Sequence, residues 1–253
     1  MSSNFFDPIL TANKSPIPIL VYHQIAVAPA KGAPFRGLYV SPSAFARQMG
    51  LMKKLGYIGL SMSDLQPYLR AEKVGKVFGI TFDDGYLNNL TQALPVLQKN
   101  GFTATCFVVD GLLGTTNSWD IEKGIAQTPL MSAQDLLQWQ AEGQEVGAHT
   151  KDHVDLLAIS ELAAWKQIAN SKPALQALLD KPVNHFCYPY GKFDTRHETM
   201  AKQANYETAT TTVRGRVHAA TNMLTLPRVT VVNTTSLPVF WLKVATAYED
   251  RKQ

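Results

Sequence analysis

The stretch that decides the fold is VFGITFDDG, residues Val77 to Gly85, in which an uncharged run precedes two adjacent carboxylates and a glycine. A short apolar run that is bounded by a turn signal predicts a buried strand, which here ends at Asp83. The residues that follow carry leucines at helical spacing as far as Gly101, a typical helix terminator. Strand, turn and helix together form the repeating unit of a parallel α/β sheet.

The same alternation extends to both sides of this unit. Further strands are predicted at Ile17–Tyr22, Thr103–Val109, Glu145–Ala148, before Pro189, and at Thr208–Val213 and Arg228–Val232. N-cap signals predict helices after Ser41-Pro42 and Ser132, and a helical stretch is predicted from Ser160 to about Leu179. Seven or eight strands that alternate with helices predict a single α/β domain, a distorted parallel (β/α) barrel of about seven strands.

Composition excludes several classes of protein. The chain has 253 residues, 45% of them apolar and 17% charged, and a net charge of +4, as in an ordinary globular protein. It contains no basic run, so no nucleic-acid partner is expected, and no apolar stretch long enough for a transmembrane helix. The first twenty residues lack the features of a signal peptide. The two cysteines lie in apolar segments and are interpreted as buried thiols.

Polar residues cluster where the predicted strands end. His23, Asp83, Asp84, His149 and Tyr190 all lie at or just after the end of a strand, and a parallel barrel gathers such residues on one face. Two adjacent carboxylates near a core are costly unless a cation or an arginine compensates them. The alternative is a solvated Asp-Asp-Gly turn whose carboxylates cap the next helix.

The segment His149 to His153 (HTKDH) places two of the six histidines of the chain four residues apart. They converge on one metal ion if the segment turns helically after His149. Zinc peptidases with this spacing need a glutamate directly after the first histidine, and Thr150 stands there instead. One carboxylate and two imidazoles form a catalytic rather than a structural metal site, and the second carboxylate is available as a base. The combination indicates a metal-dependent hydrolase.

In this order, the motifs Thr81–Gly85, His149–His153 and Tyr188–Gly191 resemble the polysaccharide deacetylase family, also called the NodB-homology family or carbohydrate esterase family 4. The segments Leu20–Ile25 and Val40–Tyr57 further resemble the bacterial branch that deacetylates poly-N-acetylglucosamine in biofilms. The resemblance extends from about residue 17 to residue 232. We therefore assign residues 17–253 to the catalytic domain and residues 1–16 to an N-terminal extension.

The resemblance implies a role for each matching residue. Asp83 would be the general base, and Asp84, His149 and His153 would bind the metal, typically zinc, with cobalt or nickel as substitutes. The backbone N–H of Tyr190 would face the developing oxyanion while its ring lines the groove. The substrate would be a polysaccharide or oligosaccharide that carries N-acetyl groups, and the location periplasmic or extracellular. The absence of a visible signal peptide keeps a cytoplasmic location open.

The chain departs from the family pattern at two catalytic roles, the arginine that orients the base and the histidine that serves as general acid. Many members have an arginine shortly before the Pro-Tyr segment to orient the base, and this chain has none there. Arg228 is either its substitute or a surface arginine at a strand edge. Many members also end with a histidine that serves as the general acid, and none occurs here after His218. We prefer His23 to His218 for that role, although His23 could merely hydrogen-bond within the barrel.

Other functions remain open from the sequence. The chain could act on chitin oligomers, peptidoglycan or acetylated xylan, or on small amides, within the same superfamily. It could also be a degenerate sugar-binding module, a reading that the missing terminal histidine favours and the intact metal motifs oppose. Trp119 and Tyr86, which follow predicted strands, are the candidates for an aromatic sugar platform.

Overall fold

The structure is a computed structural model that describes residues 15–252. Its strands are β1 (Ile19–Tyr22), β2 (Gln24–Ile25), β3 (Tyr39–Val40), β4 (Ile58–Leu60), β5 (Val77–Phe82), β6 (Thr105–Val108), β7 (Glu145–Ala148), β8 (His185–Cys187), β9 (Thr208–Arg214) and β10 (Leu226–Thr230). Its α-helices are α1 (Pro42–Lys54), α2 (Met62–Leu69), α3 (Leu94–Asn100), α4 (Ala133–Ala141), α5 (Glu161–Ala169), α6 (Ser171–Leu179), α7 (Thr195–Gln203) and α8 (Leu237–Ala245).

Seven parallel strands close into a barrel. They run in the order β1, β10, β9, β8, β7, β6 and β5, and pairing between β1 and β5 closes the ring. The short β4 pairs with the first half of β5, whereas β6 pairs with its second half. The predicted single-domain α/β barrel of about seven strands is therefore confirmed, and the wedged β4 is one source of its distortion.

The alternation of side chains along β5 determines what reaches the barrel interior. Every residue of β5 is buried. Phe78, Ile80 and Phe82 belong to the apolar layer shared with the helices, whereas Val77 belongs to a second cluster that includes side chains of α2 and of the barrel strands. Successive side chains of a strand point to opposite faces. Asp83 lies an even number of residues after Val77, so its side chain points into the barrel as that of Val77 does.

The helix boundaries can be compared with those that the sequence predicts. The side chain of Ser41 caps α1 ahead of Pro42, and Ser132 forms a capping box at the start of α4, both as predicted. The predicted helical stretch from Ser160 to about Leu179 is present as two helices, α5 and α6, which are separated at Asn170. Pro173 lies in the first turn of α6, where the absence of its N–H is tolerated, whereas it would interrupt a longer helix.

Three further expectations concern the whole chain. Both cysteines, Cys106 and Cys187, are buried free thiols, as predicted. Among residues 15–252, no helix is long and apolar enough to cross a membrane. Residues 1–14 of the proposed N-terminal extension lie outside the described residues, so its boundary remains a prediction.

A glycine in β7 provides a test of the barrel packing. A Cβ added at Gly147 would lie 2.5 Å from Cδ1 of Phe107 and 3.1 Å from the backbone oxygen of His185. We expect Gly147→Ala to lower the free energy of unfolding by about 1–3 kcal/mol because the neighbouring strands must move apart. Urea unfolding measures the change.

Gly50→Ala is the matched control. Gly50 lies in α1, and no atom stands within 4 Å of an added Cβ. Alanine is the better helix former by about 1 kcal/mol, so this substitution should stabilise the protein. Equal effects of the two substitutions would contradict the close packing at Gly147.

Candidate active site

A cavity of about 420 Å³ opens at the carboxyl ends of the barrel strands. Its lining includes the predicted residues His23, Asp83, Asp84, His149, His153 and Tyr190, together with Phe35, Trp119, Asp120, Lys123, Ile125 and Thr212. His23 follows β1, Asp83 and Asp84 follow β5, and His149 follows β7. The barrel thus gathers residues that lie far apart in the sequence into one concave site, as its topology requires.

Asp84, His149 and His153 form a buried group that could hold a metal ion. The Nε2 atoms of the two histidines lie 3.4 and 3.3 Å from Oδ1 of Asp84. In a tetrahedral zinc site with ligand bonds of about 2.0–2.1 Å, two ligand atoms are separated by about 3.3 Å. The spacing and the donor types therefore fit a divalent cation bound among these three side chains.

Hydrogen bonding determines which nitrogen of His149 faces this group. Nδ1 of His149 lies 2.7 Å from the backbone oxygen of Cys187, an atom that can only accept a hydrogen bond. Nδ1 therefore carries a proton and donates it to this carbonyl, and Nε2 is the ring nitrogen that faces Asp84. A carbonyl behind the ring is the usual partner of a metal-binding histidine because it fixes both tautomer and orientation.

The segment between the two histidines is not helical, so a helical turn after His149 is not what brings the two rings together. Thr150 and His153 both adopt positive φ, at 64° and 53°. The hydroxyl of Thr150 accepts a hydrogen bond of 3.1 Å from the backbone N–H of His153, which closes a tight turn. The two rings converge because of this turn, and not because a helix places them on one face.

Asp83 is paired with Arg228 inside the barrel. Nη1 and Nη2 of Arg228 each donate a hydrogen bond of 2.7 Å to one carboxylate oxygen of Asp83. Arg228 also donates to Thr81 Oγ1, to the backbone oxygen of Thr211 and to Cys187 Sγ. All five donors of the guanidinium therefore have an acceptor. Arg228 is 0% exposed, so the alternative of a surface arginine is wrong.

The surroundings of the two carboxylates favour their ionised forms. Burial alone raises the pKa of Asp83, but the charge and hydrogen bonds of Arg228 outweigh it and lower the pKa below its usual value. Burial acts in the same way on Asp84, where hydrogen bonds with the rings of His149 and His153 hold the pKa well below its usual range. Both aspartates are therefore charged at neutral pH.

A second group, Asp83, His149 and Cys187, also has metal-binding atoms close together. Both oxygens of Asp83 already accept hydrogen bonds from Arg228. A cation beside this guanidinium would be repelled by a positive charge that burial leaves poorly screened. The group around Asp84 is therefore the better cation site.

The two histidines considered as general acids differ in position. His23 lines the cavity beside Asp83 and Asp84. The side chain of His218 is 55% exposed and lies 3.6 Å from Asp250, away from the residues that line the cavity. Of the two, His23 alone lies within reach of a substrate in this cavity.

Aromatic side chains form part of the cavity wall. Tyr190 is 38% exposed and has a positive φ of 59°. Gly191 follows it at φ 66°, and an added Cβ would lie 1.9 Å from Oγ1 of Thr212. Trp119 lines the cavity as expected, whereas Tyr86 is 2% exposed and does not belong to the lining. Tyr86 is therefore too buried to form a sugar platform, and that expectation is wrong.

Sequence reasoning missed two charged residues of the cavity. Nζ of Lys123 donates hydrogen bonds to Oδ1 of Asp120 at 3.0 Å and to the hydroxyl of Tyr190 at 2.9 Å. Both residues lie in the segment between β6 and α4, which has no regular pattern in the sequence. Only the proximity of Trp119 in the sequence could have drawn attention to them.

Comparisons with known proteins point to one family. The sequence model described as "Polysaccharide deacetylase" matches residues 70–209. The chain is 26% identical over 225 residues to the Bacillus subtilis (strain 168) protein YxkH, whose name assigns it to the polysaccharide deacetylases; the match covers 88% of this chain and 74% of that protein.

Solved structures of deacetylases have the same fold. The Streptococcus pyogenes deacetylase PplD, solved in complex with acetate, is 27% identical with a TM-score of 0.80, over 91% of this chain and 99% of that one. BC0361, a polysaccharide deacetylase from Bacillus cereus, is 29% identical with a TM-score of 0.76, over 90% of this chain and 69% of that one.

The buried ion pair yields a prediction that does not depend on activity. Arg228→Met should lower the free energy of unfolding by about 3–5 kcal/mol because it leaves the Asp83 carboxylate buried and unpaired. Arg228→Met combined with Asp83→Asn removes both charges and should recover at least half of that loss. Urea unfolding of chelator-treated protein measures both changes.

Arg70→Met is the control for removal of an arginine. Arg70 pairs with Glu207 on the surface, where the two side chains are 48% and 37% exposed. Its loss should cost at most about 1 kcal/mol. A loss at Arg228 no larger than the loss at Arg70 would show that the buried pair does not stabilise the barrel.

Proposed function

The chain belongs to the polysaccharide deacetylase family, and on that premise we propose that it hydrolyses N-acetyl groups of an amino-sugar polysaccharide, releasing acetate in a metal-dependent reaction. One observation carries the proposal: a possible metal triad, Asp84, His149 and His153, lies in the same cavity as Asp83, a carboxylate held by Arg228. A metal site beside a separate ionised base is the arrangement that hydrolysis by water requires.

The metal is zinc in our proposal, with cobalt or nickel as substitutes. Two imidazoles and one carboxylate are a usual zinc ligand set, and they leave a position for water or substrate. A bound cation would supply Lewis acidity, which lowers the pKa of water and polarises the acetyl carbonyl. Asp84, His149 and His153 would hold it.

The remaining residues handle protons and charge. Asp83 takes the proton of the attacking water, and Arg228 keeps its carboxylate ionised and oriented. The backbone N–H of Tyr190 donates to the oxyanion that forms on the acetyl oxygen. His23 gives a proton to the sugar nitrogen as the C–N bond breaks, so the products are a free amine and acetate.

The substrate is a polymer similar to poly-N-acetylglucosamine in our proposal. The segments Leu20–Ile25 and Val40–Tyr57 support it through their resemblance to that branch of the family. Phe35, Trp119 and Ile125 give the cavity apolar walls that suit a pyranose face and an acetyl methyl group. PplD was solved with acetate, the product expected here. Chitin oligomers, peptidoglycan and acetylated xylan are the competing substrates, and a panel of these polymers distinguishes them.

We also propose a periplasmic or extracellular location. The support is the family resemblance alone. Fractionation of the producing cells, followed by detection of the protein in each compartment, tests it.

The metal and the base are tested with paired isosteric substitutions. Acetate release from acetylated glucosamine oligomers should stop after treatment with a chelator and return when zinc, cobalt or nickel is added. Asp83→Asn should reduce turnover by about 10²–10⁴-fold while metal binding is retained. Asp84→Asn should lose metal affinity.

Isothermal titration with metal and an acetate assay read out both substitutions. Chelator-insensitive activity would contradict metal dependence. Loss of metal in Asp83→Asn with retention in Asp84→Asn would exchange the two roles. Substrate binding by the metal-loaded wild-type protein without any acetate release would favour the degenerate sugar-binding module.

The general acid is tested through the leaving group. His23→Gln should lower turnover of acetylated glucosamine by about 10²–10⁴-fold because the amine nitrogen leaves without a proton. The same variant should retain activity on an aryl acetate ester, whose phenolate leaves without protonation. His218→Gln is the matched control and should not change either activity. A similar loss of both activities in His23→Gln would assign His23 a structural role.

A further inference from the structure

The two histidines of the metal triad are held in different ways. His149 has a hydrogen-bond partner behind its ring, the backbone oxygen of Cys187 at 2.7 Å. Nδ1 of His153 is buried, and no atom of the described residues forms a hydrogen bond with it. A metal-binding histidine without such a partner can turn about its side-chain bonds and carry Nε2 away from the metal. Some other contact must therefore fix the ring of His153.

The indole of Trp119 makes that contact. Its ring stacks on the ring of His153, with centroids 4.4 Å apart and planes at 29°. The ring of His149 meets the imidazole of His153 edge to face at 4.8 Å, and the ring of Tyr190 does so at 4.6 Å. The imidazole is thus confined by an indole against its face and by two further rings around it.

The segment that carries Trp119 is itself braced. Asn117 is 0% exposed, and its Oδ1 accepts a hydrogen bond of 2.7 Å from the backbone N–H of Thr128. Lys123 joins Asp120 of the same segment to the hydroxyl of Tyr190. These contacts hold the indole against His153, because the residues on both sides of Trp119 are tied down.

We propose that Trp119 is a positioning residue that orients His153 for metal binding, with ring stacking in place of the hydrogen bond that the second ring nitrogen lacks. The inference rests on the proposed function, since it assumes that Asp84, His149 and His153 hold the metal. It gives Trp119 a role in the substrate-free protein. A sugar platform, by contrast, would act only when substrate is present.

The test measures metal affinity without substrate. Metal-free protein is titrated with Co²⁺ and with Zn²⁺ for the wild type, Trp119→Phe, Trp119→Leu and Trp241→Leu. Trp119→Leu keeps apolar bulk without a ring face and should weaken metal affinity on the order of tenfold. Trp119→Phe keeps a ring face and should remain within about threefold of the wild type. Trp241, an exposed tryptophan of α8, serves as the control and should not matter.

The d–d absorption of bound Co²⁺ provides a second readout, because it depends on the number and geometry of ligands. We expect this spectrum to change in Trp119→Leu and to match that of the wild type in Trp119→Phe. Urea unfolding of the metal-free variants shows that each one is folded. Unchanged affinity and an unchanged spectrum in Trp119→Leu, with only KM raised, would overturn the inference and make Trp119 a sugar platform.

The Asp84→Asn variant distinguishes an incorrect metal triad from an incorrect role of Trp119. If the wild type and Asp84→Asn bind Co²⁺ equally, the metal triad is wrong, and the inference is overturned together with it. If Asp84→Asn loses affinity and Trp119→Leu does not, the triad stands and the inference alone is overturned.

Discussion

The ion pair between Arg228 and Asp83 is almost entirely buried at the base of the cavity, and four strands of the barrel depend on it. Arg228 belongs to β10, and its guanidinium donates to Asp83 and Thr81 at the end of β5, to Thr211 on β9 and to Cys187 on β8. A buried charge that loses its partner is strongly destabilising, so these strands must stay in register. The contact that fixes the barrel interior is also the contact that orients the proposed base.

Residues with positive φ place site side chains that strand geometry alone would direct elsewhere. Strand alternation sends Asp83 inward, and it would send the next side chain towards the helices. Asp84 instead adopts a φ of 74°, which brings its carboxylate to the histidines that follow β7. Thr150, His153 and Tyr190 also have positive φ. Such conformations cost of order 1–3 kcal/mol each and persist only where the surrounding structure imposes them. The braced loops and closed barrel supply that constraint here.

The sequence predicts the parts of the site that local patterns encode. The ends of β5 and β7 follow from apolar runs and turn signals, and the parallel topology brings Asp84 and His149 together. The role of Arg228 could not be decided from the sequence, because 145 residues separate it from Asp83 and only the closed barrel joins them. The turn at Thr150 was missed because a threonine gives no signal for positive φ. The stacking of Trp119 depends on the segment between β6 and α4, whose sequence has no periodicity.

Two adjacent carboxylates can take different roles only if their partners differ. A cation shared by Asp83 and Asp84 would face the guanidinium of Arg228, and the low dielectric of the interior would strengthen that repulsion. The arginine would therefore direct a cation to Asp84, where two imidazoles lie 3.3 and 3.4 Å away. The same charge keeps Asp83 ionised and so able to accept a proton. The positive φ of Asp84 turns its side chain away from the direction that strand alternation would give it, so the two neighbouring carboxylates meet different surroundings and can serve as proposed base and proposed ligand.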